Sequence, residues 1–275
     1  MADLEHELTT AARIAREAGA ILMEIYATDF EVAYKGEANP VTDADMKANA
    51  FITKALRDAF PDDGVVAEET ADQSDALKGG RCWFVDPLDG TKEFIKKNGE
   101  FAVMLGLSID GEAKLGVVFQ PAKDKLYGGV VGSGAWLEED GKRRALTVSG
   151  TAVPSDLRLV TSRSHRSESI DRFVGALGIT NEHQSGSVGL KIGLIAEQIA
   201  DVYIQVTNKS AAWDACGPEA ILHAAGGRLT KLDGTPYRYD RADVSNDGGI
   251  LACNAAAFDA AVPAARDVGE SAGLV

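Results

Sequence analysis

The chain has 275 residues, and 42 Asp and Glu against 28 Lys and Arg give a formal charge of −14. That balance excludes a nucleic-acid polymer held by a basic face and disfavours an anionic membrane surface. At 45% hydrophobic and 25% charged residues the composition is ordinary globular, and no apolar run approaches the ~18 residues of a membrane span, so no integral membrane segment is expected.

The first residues, MADLEHELTT, are acidic and lack the basic-then-apolar order of a secretory signal. Cys82, Cys216 and Cys253 form no CxxC pair, so reduced thiols and a cytoplasmic location are expected. Leu4, Leu8, Ala11, Ala15, Ala18, Leu22 and Ile25 recur at three- and four-residue steps, the spacing of an amphipathic helix. A turn-like stretch, residues 35–45, follows. Asp43 or Asp45 would cap a second helix that presents Phe51, Ala55, Leu56 and Ala59 on one face and stops before Pro61. Short β-like runs occupy residues 64–69, 81–86, 101–110, 113–121 and 125–132, and Asp110-Gly111 and Asp140-Gly141 are hairpin dipeptides. Beyond residue 155 strands alternate with helices: strands at 157–162, 201–206 and 249–254, helices at 168–177, 187–200 and 214–227, and an Ala-rich helix at the end. The chain therefore reads as α/β. An α+β half, residues 1–155, carries an antiparallel sheet, and an α/β half, residues 156–275, packs on it as one body.

Chemistry concentrates in WFVDPLDGTKEF, residues 83–94. An apolar strand ends in Asp86; Pro87 fixes φ and Gly90 permits a tight turn, which brings the Asp86 and Asp89 carboxylates together. Two bare carboxylates so placed repel unless one protonates or a hard cation intervenes, and magnesium favours such oxygen donors. The Leu88 carbonyl is a third oxygen within reach. Gly90 and Thr91 open a helical turn whose free N–H groups suit a phosphate. Glu68 and Glu69 follow another apolar run, and Asp214 starts a helix. Taken singly, each of these reads equally as a turn, a solvated pair or a helix cap, and spacing does not bring 68, 86, 89 and 214 together.

Taken in order, Glu68-Glu69, WFVDPLDGTKEF and WDACGPEAILHAAGG resemble the inositol monophosphatase superfamily of magnesium-dependent, lithium-sensitive phosphatases, and VTDAD (41–45) resembles its upstream Val-Thr-x-x-Asp element. The likeness runs from the first helix to about residue 254. It implies a layered αβαβα sandwich. It also implies two or three Mg²⁺ held by Glu68, Asp86, Leu88, Asp89 and Asp214, inhibition by Li⁺, and Asp45 with Thr91 orienting and deprotonating a water. Lys92-Glu93 after DPLDGT, together with SRSH (162–165) and GSVGLK (186–191), is similar to the 3′(2′),5′-bisphosphate nucleotidase branch. By position, Ser162, His165, Ser187 and Lys191 would then face a nucleotide, with Gly90 and Thr91 at the phosphate. Without the likeness, His165 reads as a loop histidine and Lys191 as a solvated helix residue. The small-molecule substrate implied is adenosine 3′,5′-bisphosphate, or its phosphosulfate relative. An inositol monophosphate or fructose 1,6-bisphosphate on the same fold is the alternative, and a non-catalytic metal- or nucleotide-binding module a further one. Asp43-x-Asp45 lies in a loop after a helix and lacks the Thr or Val of a haloacid-dehalogenase nucleophile. No GxSxG elbow serves a Ser-His-Asp hydrolase, and His6, His183 and His223 have no visible partners.

Overall fold

A computed structural model describes residues 4–29, 32–34, 40–70, 76–77, 79–163 and 166–275. In chain order come α1 (Glu5–Tyr26), the antiparallel pair β1 (Val32–Tyr34) and β2 (Pro40–Thr42), and α2 (Asp43–Ala59). Then follow β3 (Gly64–Ala67), β4 (Arg81–Asp89), the one-turn α3 (Thr91–Ile95), β5 (Ala102–Ile109), β6 (Glu112–Gln120), β7 (Lys125–Val130), β8 (Gly134–Glu139) and β9 (Lys142–Leu146). The rest is β10 (Arg158–Ser162), α4 (Glu168–Leu177), β11 (Asn181–Ser185), α5 (Val188–Ala196), β12 (Val202–Gln205), α6 (Ala212–Ala224), β13 (Gly227–Thr230), β14 (Ile250–Asn254) and α7 (Phe258–Ser271).

Strands β3 to β9 form a seven-stranded sheet in sequence order. It is antiparallel except at its edge, where β3 runs parallel to β4 with Val66 beside Phe84, so the expected antiparallel sheet is a mixed one. The second sheet has the order β11-β10-β12-β14-β13, with β10 parallel to both its neighbours and β14 antiparallel to both of its own.

Strand periodicity sets the layers. Side chains alternate across a strand, and on β4 Trp83 and Val85 join the core made by Leu8, Ile14, Leu22, Ile52 and Leu56 of α1 and α2. Cys82 and Phe84 point the other way, into a core shared with Ile192 of α5, Ala215, Cys216 and Ala220 of α6, and Val160, Tyr203 and Ile250 of the second sheet. The far side of that sheet, Leu159, Val202, Ile204 and Leu251, is covered by Ile170 and Phe173 of α4 and Ala261, Ala265 and Val268 of α7. The order of layers is helix pair, sheet, helix pair, sheet, helix pair, the αβαβα sandwich expected.

Where helix α6 crosses β5 and β6, its Gly217 backbone lies directly against the first sheet. A Cβ on Gly106 of β5 would sit 2.3 Å from the Gly217 nitrogen, and one on Gly116 of β6 would sit 2.0 Å from the Gly217 oxygen. Only glycine permits that approach.

Local details differ from the sequence reading where polar side chains compete for backbone groups. The cap of α2 is Thr42, not Asp43 or Asp45; its extended backbone lets its hydroxyl accept from Ala44 N–H at 3.1 Å, and Asp45 at the third helical position returns the bond. The helix expected over 187–200 is shorter, ending at Ala196. Pro218 sits at the seventh residue of α6, so the Asp214 carbonyl has no N–H at position 218 to receive. Strands β11 and β13 had no sequence signal: NEHQ of β11 is exposed edge strand without alternation.

Candidate metal centre and its surroundings

Strand β4 delivers the central acids. Its pairing with β5 breaks register between Asp86 and Asp89, a bulge built around Pro87, so both carboxylates fall at the same strand end. Asp86 Oδ1 accepts from Leu88 N–H at 2.9 Å, which fixes its rotamer. Gly90 follows with φ +95°, a left-handed turn that ends the strand and starts α3; a Cβ there would sit 2.9 Å from the Glu100 carbonyl.

The third acid arrives on α6. Asp214 is the third helical residue, not the cap, and its Oδ2 accepts from Ala211 N–H at 2.6 Å. Oxygen atoms of Asp86, Asp89 and Asp214 all lie within 4.8 Å of one another. Glu68 comes directly after β3 and is tied to β4 by its N–H to the Val85 carbonyl at 3.1 Å. Burial, then the charges of Glu68, Asp89 and Asp214, push the Asp86 carboxyl well above the usual carboxylate range. Burial, then Asp89 and Glu68, do the same to Asp214. Asp89 is also raised by burial, against the opposing effect of Lys191 and the Ser187 hydroxyl. Three carboxylates brought together by one sheet and a helix, with the charge of Glu68 beside them, are hard oxygen donors under mutual repulsion and fit a divalent hard cation.

A second acid system adjoins the first. Asp45 is buried, and burial is the main reason its carboxyl is raised. Its Oδ2 accepts from both the Thr42 N–H and hydroxyl at 2.7 Å, and its Oδ1 lies 3.3 Å from the Thr91 hydroxyl. The same hydroxyl is 3.2 Å from the Leu88 carbonyl. The α2 cap thus holds Asp45 beside the first residue of α3.

The residues assigned by position to a nucleotide are placed unequally. Ser162 ends β10 half-buried, beside Ser185 of β11. His165 lies outside the described residues. Ser187 is 4% exposed, caps α5 through Leu190 N–H, and donates its hydroxyl to Asp89 Oδ2 at 2.5 Å, with Gly189 N–H on the same oxygen at 3.0 Å. Lys191 is equally buried, its ammonium 5.0 Å from the Tyr203 ring centroid. Burial draws its pKa down, while Asp89, Glu93, Glu100 and Asp214 draw it up. Both side chains stand behind the acids rather than on an open wall.

Sequence reasoning passed over Glu100 and Arg163. Arg163 donates to both oxygens of Glu100, at 2.8 and 2.7 Å, and Gly186 N–H donates to Glu100 Oε2 at 2.8 Å. Their only local signal is adjacency, Arg163 inside SRSH and Gly186 opening GSVGLK.

The profile of the inositol monophosphatase family matches residues 3–270. The 3'(2'),5'-bisphosphate nucleotidase CysQ of Escherichia coli K12 is 37% identical over 237 residues, covering 84% of this chain and 93% of that protein. Among solved structures, CysQ from Bacteroides thetaiotaomicron superposes with a TM-score of 0.77 at 30% identity, covering 91% of this chain and 97% of the other. The inositol monophosphatase from Anabaena superposes with a TM-score of 0.75 at 27% identity, covering 97% of each chain. Among the described residues no helix is long and apolar enough to cross a membrane.

Proposed function

The chain belongs to the inositol monophosphatase family, and we propose that it is a magnesium-dependent phosphatase that hydrolyses the 3′-phosphate of adenosine 3′,5′-bisphosphate to AMP and inorganic phosphate. The observation that carries the chemistry is the convergence of Asp86, Asp89 and Asp214 within 4.8 Å. Likeness over 84% of the chain to a 3'(2'),5'-bisphosphate nucleotidase supports the substrate. The phosphosulfate relative of that nucleotide offers the same phosphate and is a second substrate of the same reading.

Glu68, Asp86, the Leu88 carbonyl, Asp89 and Asp214 would hold two or three Mg²⁺. Bound magnesium supplies charge neutralisation at the phosphoryl oxygens and acidifies a water. The chain's own residues handle the proton. Thr91 is oriented by Asp45 and the Leu88 carbonyl; when its hydroxyl proton points to Asp45, its oxygen accepts a proton from a water on its other side. A threonine hydroxyl is a poor base alone, and Asp45, locked by two bonds from Thr42, is the carboxylate that takes up the threonine proton. Gly90 and Thr91, first backbone donors after the acids, are assigned to a phosphate oxygen. Ser162 and His165 are assigned to the nucleoside. Ser187 and Lys191 act from behind, one fixing Asp89 and the other balancing charge at a second phosphate. Residues 1–155 supply the water-activating side and residues 156–275 supply Asp214 and the nucleotide side.

The test is a substrate panel with Mg²⁺, with and without Li⁺: adenosine 3′,5′-bisphosphate, its phosphosulfate relative, inositol 1-phosphate and fructose 1,6-bisphosphate. The expected result is kcat/KM at least tenfold higher for the nucleotides, with loss of turnover on adding Li⁺. A preference for inositol 1-phosphate or fructose 1,6-bisphosphate would move the substrate while keeping the reaction class. Nucleotide binding with no phosphate release under any metal would leave a binding module and overturn the enzyme reading.

A further inference from the structure

Three strands of observation meet at one carboxylate outside the acid cluster. Glu100 lies between α3 and β5, ten residues beyond Gly90, and so belongs to the half of the chain that carries the metal loop. Arg163 follows β10 and Gly186 follows β11, both in the other half. Arg163 grips Glu100 with a two-pronged bond and also donates to the Gln184 carbonyl at 3.2 Å. Its backbone N–H reaches the Ser185 carbonyl at 3.4 Å. The Gly186 N–H closes the triangle on Glu100 Oε2. No side chain fits at Gly186: a Cβ would sit 2.4 Å from the Glu100 carbonyl and 2.5 Å from Glu93 Cγ.

What hangs from this triangle is the next residue. Ser187 has φ +54°, a left-handed conformation that a non-glycine residue keeps only when its surroundings over-determine it. In that conformation its hydroxyl reaches Asp89, its oxygen caps α5, and Lys191 is carried into the buried space beside the acids. The Arg163 side chain is 40% exposed and the Glu100 side chain 20% exposed. An ion pair that open contributes little to global stability, whereas a bidentate guanidinium fixes direction as well as distance. The arrangement suits positioning more than stapling.

We propose that the Glu100–Arg163–Gly186 triangle is a positioning device that sets the Ser187–Lys191 segment, and with it the preference for a substrate bearing a second phosphate over one bearing a single phosphate. This rests on the nucleotide reading above for the identity of the two-phosphate substrate. Arg163 and Glu100 act through Gly186 and Ser187 and need not touch the substrate. R163K keeps the charge but loses the fork, so it retains part of the effect; E100Q keeps an acceptor for Gly186 but weakens the grip.

The experiment uses the full chain with saturating Mg²⁺. KM and kcat are measured for adenosine 3′,5′-bisphosphate and for inositol 1-phosphate on the wild type, R163A, R163K and E100A, with R13A, which breaks only an exposed i, i+4 pair, as a reference. The expected result is that R163A and E100A raise KM for the bisphosphate about tenfold more than KM for inositol 1-phosphate, with R163K between and R13A unmoved. Equal shifts on both substrates, or none, would overturn the proposal. Amide hydrogen exchange over residues 186–190 supplies a readout that needs no substrate. R163A should speed exchange there at least tenfold while the thermal midpoint stays within a few degrees, and unchanged exchange overturns the triangle as a positioning device. If the wild type turned over only inositol 1-phosphate, the nucleotide reading would fail by itself, and the exchange result would still decide the triangle.

Discussion

Replacing Asp86 by asparagine removes one ionisable carboxyl from the centre of the acid cluster while keeping an oxygen for the Leu88 N–H. Two unit charges 4.8 Å apart at an effective dielectric of about 20 repel by about 3.5 kcal/mol. The metal-free protein relieves part of this by holding protons on its raised carboxyls, so the gain realised on removing Asp86 is about 1–3 kcal/mol. D86N should therefore be more stable than the wild type in EDTA, at about 2–4 °C of thermal midpoint per kcal/mol for a chain of this size. The order reverses with metal. Mg²⁺ at a hundred times its Kd stabilises the wild type by about 2.7 kcal/mol, and D86N, short of a central ligand, should respond weakly. Turnover should fall about a thousandfold, equivalent to roughly 4 kcal/mol of lost charge stabilisation. Differential scanning fluorimetry across a Mg²⁺ titration, paired with a phosphate-release assay, reads all three effects. A D86N variant that is less stable in EDTA, keeps the wild-type response to Mg²⁺, or turns over normally at saturating metal would refute the assignment of Asp86.

Three more outcomes follow from other parts of the structure. G106A places a Cβ 2.3 Å from the Gly217 nitrogen; lifting α6 should destabilise the fold by about 1–3 kcal/mol and weaken Mg²⁺ activation by moving Asp214, both visible in a metal titration, and an unaltered activation curve would argue that α6 depth does not set the site. Glu219 is buried beside the Tyr239 hydroxyl, and burial pushes its carboxyl up to about 8. Because the unfolded chain ionises it near the ordinary glutamate value of 4.5, stability should fall as pH rises from about 4.5 through 8, by roughly 3–5 kcal/mol in the limit. E219Q, whose amide oxygen still accepts from Tyr239, should flatten that part of the stability profile in urea melts at pH 5 and pH 8. Asp201 is fully buried and accepts from Arg158 Nε, from Arg158 N–H and from Ser149. D201A should lower stability by about 2–4 kcal/mol by chemical denaturation, with kcat per folded molecule retained, since the network lies away from the acid cluster.

The parts of this protein that were legible in the sequence are those governed by local chemistry. Three- and four-residue apolar spacing marks α1 and an apolar face marks α2; short β-like runs mark β5, β6 and β7, and Asp110-Gly111 and Asp140-Gly141 mark the hairpin turns after β5 and β8; Pro87 and Gly90 mark the bend that pairs Asp86 with Asp89. What escaped was equally physical. The α2 cap went to Thr42 because a hydroxyl in extended backbone reaches the helix amides while Asp45 answers from the third position. Strand β11 went unseen because an exposed edge strand needs no apolar face.

By itself the sequence determined the elements, the reach of the 83–94 loop, and a charge of −14 whose few placed carboxylates matter more than its total. Tertiary structure alone decided which of those carboxylates meet. Asp214 joins Asp86 and Asp89 because Gly106, Gly116 and Gly217 let a helix rest on bare sheet backbone. Ser187 and Lys191 stand behind the acids because Glu100, ahead of β5, and Arg163, after β10, meet beside them across 63 positions. Periodicity and turn preference act over a few residues, whereas a contact across that span exists only once packed layers have set the distance between its ends.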